Sequence, residues 1–220
     1  MNFESGHIYH LFNQGNNRQS IFFIRENYLY FLRKVNIQIT PFADILAWCL
    51  MPNHFHIMIF VNRIDMVKND GEESDSRTTS LAKSVGILLS SYTRAINKQN
   101  GKTGSLFRQQ TKAICLTKSL AIAQTWYVSN GVTMINTDTP EKQYPNVCFN
   151  YILFNPLKAG MVKRNEEWEF SSYPDVVGLR NGKLISRDRI TELGLEVHPS
   201  SCNLSPHDSK SSDDKERSTH

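Results

Sequence analysis

Hydrophobic positions along the chain switch between a period of two and a period near 3.6, and the switches mark out its elements. His7–Asn13 alternates as a strand and runs into the turn-forming Gln14-Gly15-Asn16-Asn17. From Glu26 to about Ile39, Tyr28, Phe31, Leu32, Val35 and Ile39 recur at helical spacing, and Pro41 stops that helix. Ala43–Met51 is apolar on both faces, as a central strand should be, and Pro52-Asn53 is a tight link into a strand beginning at His54. Asn62–Ser80 is polar and acidic and reads as a loop. Leu81, Val85, Leu88, Leu89, Tyr92 and Ile96 mark a second amphipathic helix closed by Asn100-Gly101, and Ser105–Leu116 reads as a further strand. Residues 117–144 read as a connector, with Ser119–Val128 as a candidate short helix. A helix over about Pro145–Asn155 follows.

This order, β-α-β-β-α-β, predicts an α+β fold with a ferredoxin-like core, an antiparallel sheet whose two helices cover one face. A C-terminal helix carrying Tyr151, and an extension beyond it, complete the chain. On the strand after Asn53, Phe55, Ile57, Ile59 and Val61 share one face, and His54, His56, Met58 and Phe60 the other. The first set belongs under the helices. The histidines are then left on the open side, and the helix of Tyr151 must fold across it.

Two short motifs carry chemistry. In Met51-Pro52-Asn53-His54-Phe55-His56, the two imidazoles project together from one face of a strand and can hold one metal ion. A third ligand from elsewhere would leave coordination positions for substrate. Ordinary buried or exposed histidines are the bland alternative. In Tyr151-Ile152-Leu153-Phe154-Asn155-Pro156, read as a helix, phenol and carboxamide lie four residues apart on one face, and Pro156 biases the helix to end near Asn155. The carboxamide oxygen is a hard ligand suited to Mg2+ or Mn2+, and the phenol is a nucleophile beside it. A half-buried aromatic and a helix cap are the bland reading of that pair. Tyr144 lies seven residues before Tyr151 on nearly the same face, but it precedes Pro145 and has Cys148, not an amide, at i+4.

Together these motifs resemble the single-tyrosine HUH transposases, in the branch of REP-associated tyrosine transposases. The resemblance spans most of residues 5–185. It runs through Tyr9-His10-Leu11-Phe12-Asn13-Gln14-Gly15-Asn16-Asn17, the histidine strand, Gly104-Ser105-Leu106-Phe107-Arg108-Gln109-Gln110, the segment Tyr151 to Gly160, and Trp168-Glu169-Phe170-Ser171-Ser172-Tyr173. The family usually reads Asn-Arg-Gly where this chain has Asn13-Gln14-Gly15, one positive charge fewer. The resemblance implies metal-dependent cleavage and rejoining of single-stranded or hairpin DNA. It implies a divalent ion, Mg2+ or Mn2+, on His54, His56 and Asn155, and Tyr151 as nucleophile forming a 5′-phosphotyrosine. Insertion-sequence members work as dimers with exchanged tyrosine helices and REP-associated relatives as monomers, so both states stay open.

Charge adds a little. The net charge is +4, but six of the 25 bases and nine of the 21 acids lie between Arg63 and Arg77 or beyond His198, so the remainder is more basic than the total suggests. A polyanionic partner fits that balance. Arg108 and Lys112 alternate onto one strand face, and Lys83, Arg94 and Lys98 lie on the second helix; all five are candidate phosphate contacts, with a solvated face as the alternative. Cys49, Cys115, Cys148 and Cys202 are scattered without C-x-x-C spacing, which points away from a zinc ribbon or disulfide framework. No signal-peptide pattern and no spanning apolar run is evident, so a cytoplasmic location with no membrane partner is the expectation.

The expected organisation is a catalytic domain over 1–160, an extension over 161–197 packed on the core, and a disordered tail over 198–220 rich in Ser, Asp and Lys. The extension reads as a hydrophobic clasp in preference to a DNA contact. Two rival functions stand beside the transposase reading. One is a non-catalytic hairpin-binding protein on the same fold. The other is a metal-dependent hydrolase barrel, which needs repeated βα units and more ligands than this chain offers.

Overall fold

The chain enters β1 (Ile8–Gln14), crosses through α1 (Arg25–Gln38) to β2 (Ala43–Met51) and turns back into β3 (His54–Val61). A short antiparallel hairpin, β4 (Asp65–Lys68) with β5 (Arg77–Ser80), leads into α2 (Leu81–Gln99) and then β6 (Lys112–Cys115). The computed structural model describes residues 1–68, 77–117, 126–129, 132–135 and 140–198. The main sheet has the order β2-β3-β1-β6 with every neighbour antiparallel. That is the ferredoxin-like arrangement the periodicity predicts, with β3 inserted between β1 and β2.

One face of the sheet is core throughout. Phe31 of α1 meets Phe55 of β3 at a ring separation of 5.1 Å and Tyr92 of α2 edge-on at 5.0 Å. Val35, Leu88 and Ile96 are buried in the same layer. Asn27 caps this layer: its Oδ1 accepts from the backbone N–H groups of Phe23 and Ile24, and its Nδ2 donates to Gln99 at 2.8 Å. Ser80 caps α2 by accepting from the Lys83 N–H, and Gly101 leaves it at φ +61°.

The other face is covered by α3 (Pro140–Lys158), with Cys148, Phe149, Ile152 and Leu153 buried. The helix of Tyr151 thus folds across the histidine side of the sheet, as expected. The helix also runs past Asn155, where Pro156 was expected to end it. Pro156 forfeits one intrahelical bond, but the Ala159 N–H still donates to the Asn155 carbonyl at 3.0 Å, and Gly160 at φ +67° makes the actual exit. Burial of Ile152, Leu153 and Phe154 outweighs the local preference.

Three further readings change. The loop expected over Asn62–Ser80 contributes β4 and β5 at its ends; residues 69–76 lie outside the described residues. The strand expected over Ser105–Leu116 is regular only at Lys112–Cys115, with one isolated bridge between Gly15 and Phe107. There Asn13 intervenes: its Nδ2 donates to the Arg108 carbonyl and the Thr111 hydroxyl, taking the place of ladder bonds. Within the expected connector lie β7 (Trp126–Ser129) and β8 (Val132–Ile135), an antiparallel pair where a helix had been considered for Ser119–Val128. Asn130-Gly131 stands between them in sequence, a pair favoured in two-residue hairpin loops.

Beyond α3 the chain clasps the free edge of β2. Leu50 N–H donates to the Phe170 carbonyl, Ser172 N–H to the Trp48 carbonyl, and the Trp168 indole to the Leu50 carbonyl at 3.0 Å. Two short helices, α4 (Tyr173–Val176) and α5 (Arg187–Glu192), follow. The chain then reaches α3 again, where buried Asn150 donates to the Glu196 carbonyl and accepts from the His198 N–H at 2.7 Å. Residue 198, expected to begin the tail, is thus tied down, and 199–220 lie outside the described residues. No helix among the described residues is long and apolar enough to cross a membrane.

Candidate active site

The site begins with a knot of backbone bonds that joins three of the sequence motifs. Gly15 N–H donates to the Asn53 carbonyl at 2.8 Å, Asn16 N–H to the Leu106 carbonyl, and Arg108 N–H to the Gln14 carbonyl. Ile21 and Phe22 both donate to the Pro52 carbonyl. Gly15 is needed because a Cβ there would lie 2.1 Å from the Gln19 carbonyl oxygen. The knot fixes Asn53, and Asn53 in turn orients His54: its Nδ2 reaches the Arg18 carbonyl at 3.4 Å and its Oδ1 meets His54 Nδ1 at 2.6 Å.

Registry places the rest. His56 pairs with Phe12, and Phe12 pairs with Lys112, so the three form one row across β3, β1 and β6 on the same face. Gln14 pairs with His54 in the next row. From above, Tyr151 of α3 comes down edge-on to His56 at a ring separation of 5.3 Å. Phe12, Gln14, His54, His56, Arg108, Gln110, Lys112 and Tyr151 line a cavity of about 280 Å³. Tyr144 is not among its walls, which separates the two candidate nucleophiles.

Asn155 joins the two halves. It is 7% exposed, and its side chain hydrogen-bonds both the His54 imidazole and the Tyr151 phenol. Burial lowers the His54 pKa below its usual value, which the bond to Asn155 partly opposes. Burial raises the Tyr151 pKa, again opposed by Asn155. Both groups are therefore neutral at pH 7. Cys49 and Cys148, near Tyr151, are also held as thiols by burial, Cys148 being pushed up to about 12. They pack as small apolar groups between β2 and α3.

The donor set of His54, His56 and Asn155 would suit a hard divalent ion with open positions. His54 is held through Nδ1 by Asn53 and His56 through Nδ1 by His10 at 2.9 Å, so these contacts leave the Nε2 edge of each ring for another partner. Two imidazoles and one carboxamide oxygen make a neutral ligand set. No cluster of three or more His, Cys, Asp or Glu side chains is set to bind a metal among the described residues, so such an ion depends on the Asn155 amide.

Of the other candidate residues, Arg108 and Lys112 reach the cavity rim. Lys83, Arg94 and Lys98 do not: they are exposed on α2, in the layer on the opposite side of the sheet. Sequence reasoning missed His10, Phe12 and Gln14 as site residues. They alternate on β1, and the period-two rule assigns them a common face; only the register with β3 shows that this face holds His54 and His56. Lys158, within the Tyr151–Gly160 motif but given no role, places its ammonium 5.7 Å from the Tyr151 ring centre.

No family model matches the chain, and no curated protein matches it. Among solved structures, one of a REP-associated tyrosine transposase bound to a REP hairpin aligns over 86% of this chain and 87% of that one, with a TM-score of 0.50 and 18% identity. At that identity the likeness is one of fold. The four-stranded antiparallel sheet with helices packed on it is thus the fold of a REP-associated tyrosine transposase, the branch that the motif series resembles.

Proposed function

We propose that this chain is a metal-dependent single-stranded DNA transposase and endonuclease that cleaves and rejoins DNA at hairpins through a 5′-phosphotyrosine on Tyr151. The observation that carries it is the double engagement of Asn155, whose side chain bonds His54 on the sheet and Tyr151 on its own helix. A nucleophile is thereby coupled to a two-histidine pair at the floor of a cavity rimmed by Arg108 and Lys112. The transposase of the same fold is bound to a REP hairpin, which supports hairpin DNA as substrate here.

His54, His56 and Asn155 would hold Mg2+ or Mn2+, which would supply a Lewis acid for the scissile phosphate and offset charge in the transition state. Because these three residues are neutral, a cation held there would take its balancing charge from DNA phosphates, so metal and DNA would bind cooperatively. Arg108 and Lys112 take neighbouring phosphates. Lys112 lies two inter-strand spacings from His56, about 10 Å, with Phe12 between them as a surface for a base to stack on.

Tyr151 is neutral before the reaction, so it gives up its proton as it attacks. The bond from its phenolic oxygen to phosphorus forms, the bond from phosphorus to the 3′-oxygen breaks, and that oxygen leaves with a proton as a 3′-hydroxyl. The new ester retains the energy of the old one, and a second 3′-hydroxyl reverses the step to rejoin strands without a nucleotide cofactor.

Incubation with hairpin-bearing single-stranded DNA and Mg2+ or Mn2+, followed by denaturing electrophoresis, tests this reading. A metal-dependent, protease-sensitive covalent band is expected. Binding without such a band identifies a hairpin-binding protein instead, and neither binding nor adduct rejects the DNA reading altogether.

A further inference from the structure

We propose that His10 is a positioning residue that sets the tautomer of His56, keeping the proton on His56 Nδ1 so that Nε2 presents its lone pair to the site. The inference rests on the metal role given to His56 above. His10 is 2% exposed and His56 6%, their rings stack at 5.0 Å, and His10 Nε2 lies 2.9 Å from His56 Nδ1.

A neutral imidazole carries one N–H and one lone pair, so one ring donates in this contact and the other accepts. If His10 donates, the His56 proton sits on Nε2 and blocks that nitrogen as a ligand. If His56 donates, its Nε2 is the lone pair. His54 supplies the reference for choosing between them. Its Nδ1 faces Asn53 Oδ1, an acceptor only, and Asn53 is oriented by the contact of its Nδ2 with the Arg18 carbonyl. His54 is therefore protonated on Nδ1 and offers Nε2. For the two strand histidines to share an ion on the same edge, His56 must be protonated in the same way, with His10 as acceptor at Nε2 and its own proton on Nδ1. Burial gives the pairing its force, because a hydrogen bond lost in this environment is not replaced by water. His10 is not among the residues lining the cavity, so it acts through His56 rather than on substrate.

The test is the tautomer itself, read from the ring-nitrogen chemical shifts of the metal-free full-length protein at a pH where both rings are neutral. His56 is expected to show a protonated-type Nδ1 and a lone-pair-type Nε2. His10→Leu, which removes the acceptor, should shift His56 toward the Nε2–H form and weaken Mn2+ binding in the presence of hairpin DNA about 10–100-fold. His10→Gln, which restores an acceptor oxygen, should recover most of both. A wild-type His56 protonated on Nε2, or a His10→Leu variant with unchanged ring shifts and Mn2+ affinity, overturns the proposal. If His10→Leu does not fold, the wild-type spectrum alone decides. The spectrum needs neither DNA nor turnover, so a protein with the expected tautomer but no covalent adduct sinks the transposase reading and leaves this one standing.

Discussion

The two halves of the site are built by different physics. The sheet half, β1 and β3, holds His10, His54 and His56 on strands locked by continuous ladders, with the His54 and His56 imidazoles pinned through Nδ1. The helix half, α3, carries Tyr151 and Asn155 on a segment interrupted by Pro145 and Pro156, held down by apolar burial and by the polar tie of Asn150 to residues 196 and 198. A metal ligand needs a fixed lone pair, and hydrogen bonds supply that direction. A nucleophile must approach a phosphorus atom; packing places its ring, and the bond to Asn155 engages its oxygen. The Asn155 side chain bonds a group of each half.

Removing the sheet half should have the largest effect. His54→Ala with His56→Ala is expected to reduce cleavage by at least about 10³-fold, on the order of losing the Lewis acid. Its stability cost should be unequal between the two positions. His56→Ala empties a buried site and removes the His10–His56 hydrogen bond, at about 1–3 kcal/mol, whereas His54 is partly exposed and should cost less. Cleavage against metal concentration, beside thermal melts of the single variants, separates these claims; cleavage by the double variant at wild-type metal dependence would remove the metal site.

Cutting the link between the halves comes next. Asn155→Ala should raise the Mg2+ needed for half-maximal cleavage about 10–100-fold, and Asn155→Asp should keep partial activity because a carboxylate oxygen also suits a hard cation. Equal metal dependence in Asn155→Ala and wild type would mean that the amide only caps the helix.

Weakening the anchor of the helix half should cost less still. Ending the chain at Leu195 leaves Asn150 without its Glu196 and His198 partners, a loss of about 1–3 kcal/mol. Ending it at His198 should leave the melting temperature unchanged. Identical melts for both truncations would show that Asn150 does not hold α3 through this contact.

The smallest effect concerns pH. Burial lowers the His54 pKa, so between that value and the ordinary 6.5 the unfolded chain binds more protons than the native one. Stability of the metal-free protein should rise with pH through that window and fall as pH drops below about 6.5. Urea midpoints across pH 5–7 check the sign, and His54→Gln should flatten part of the slope.

Much of this was legible in the sequence because periodicity reports burial. The core order, the faces of β3 and the pairing of Tyr151 with Asn155 all follow from periods of two and 3.6. What escaped were features decided by tertiary contact. Pro156 reads locally as a stop, but Ile152, Leu153 and Phe154 bury enough surface to carry the helix past it. Ser105–Leu116 alternates like a strand, yet the Asn13 side chain takes bonds at Arg108 and Thr111 that the ladder would have used. His10 was hidden for a third reason: its role depends on register between β1 and β3, which no single-strand pattern encodes.

The central claim is that Tyr151, joined through Asn155 to the histidine pair, forms the covalent bond to DNA. The most direct measurement is the metal-dependent adduct with a hairpin substrate in Tyr151→Phe beside Tyr144→Phe, with binding followed in parallel. Tyr151→Phe keeps the ring and its packing and loses only the phenolic oxygen, so it should bind DNA and form no adduct, while Tyr144→Phe should form it at the wild-type level. An adduct that persists in Tyr151→Phe and disappears in Tyr144→Phe would contradict the account.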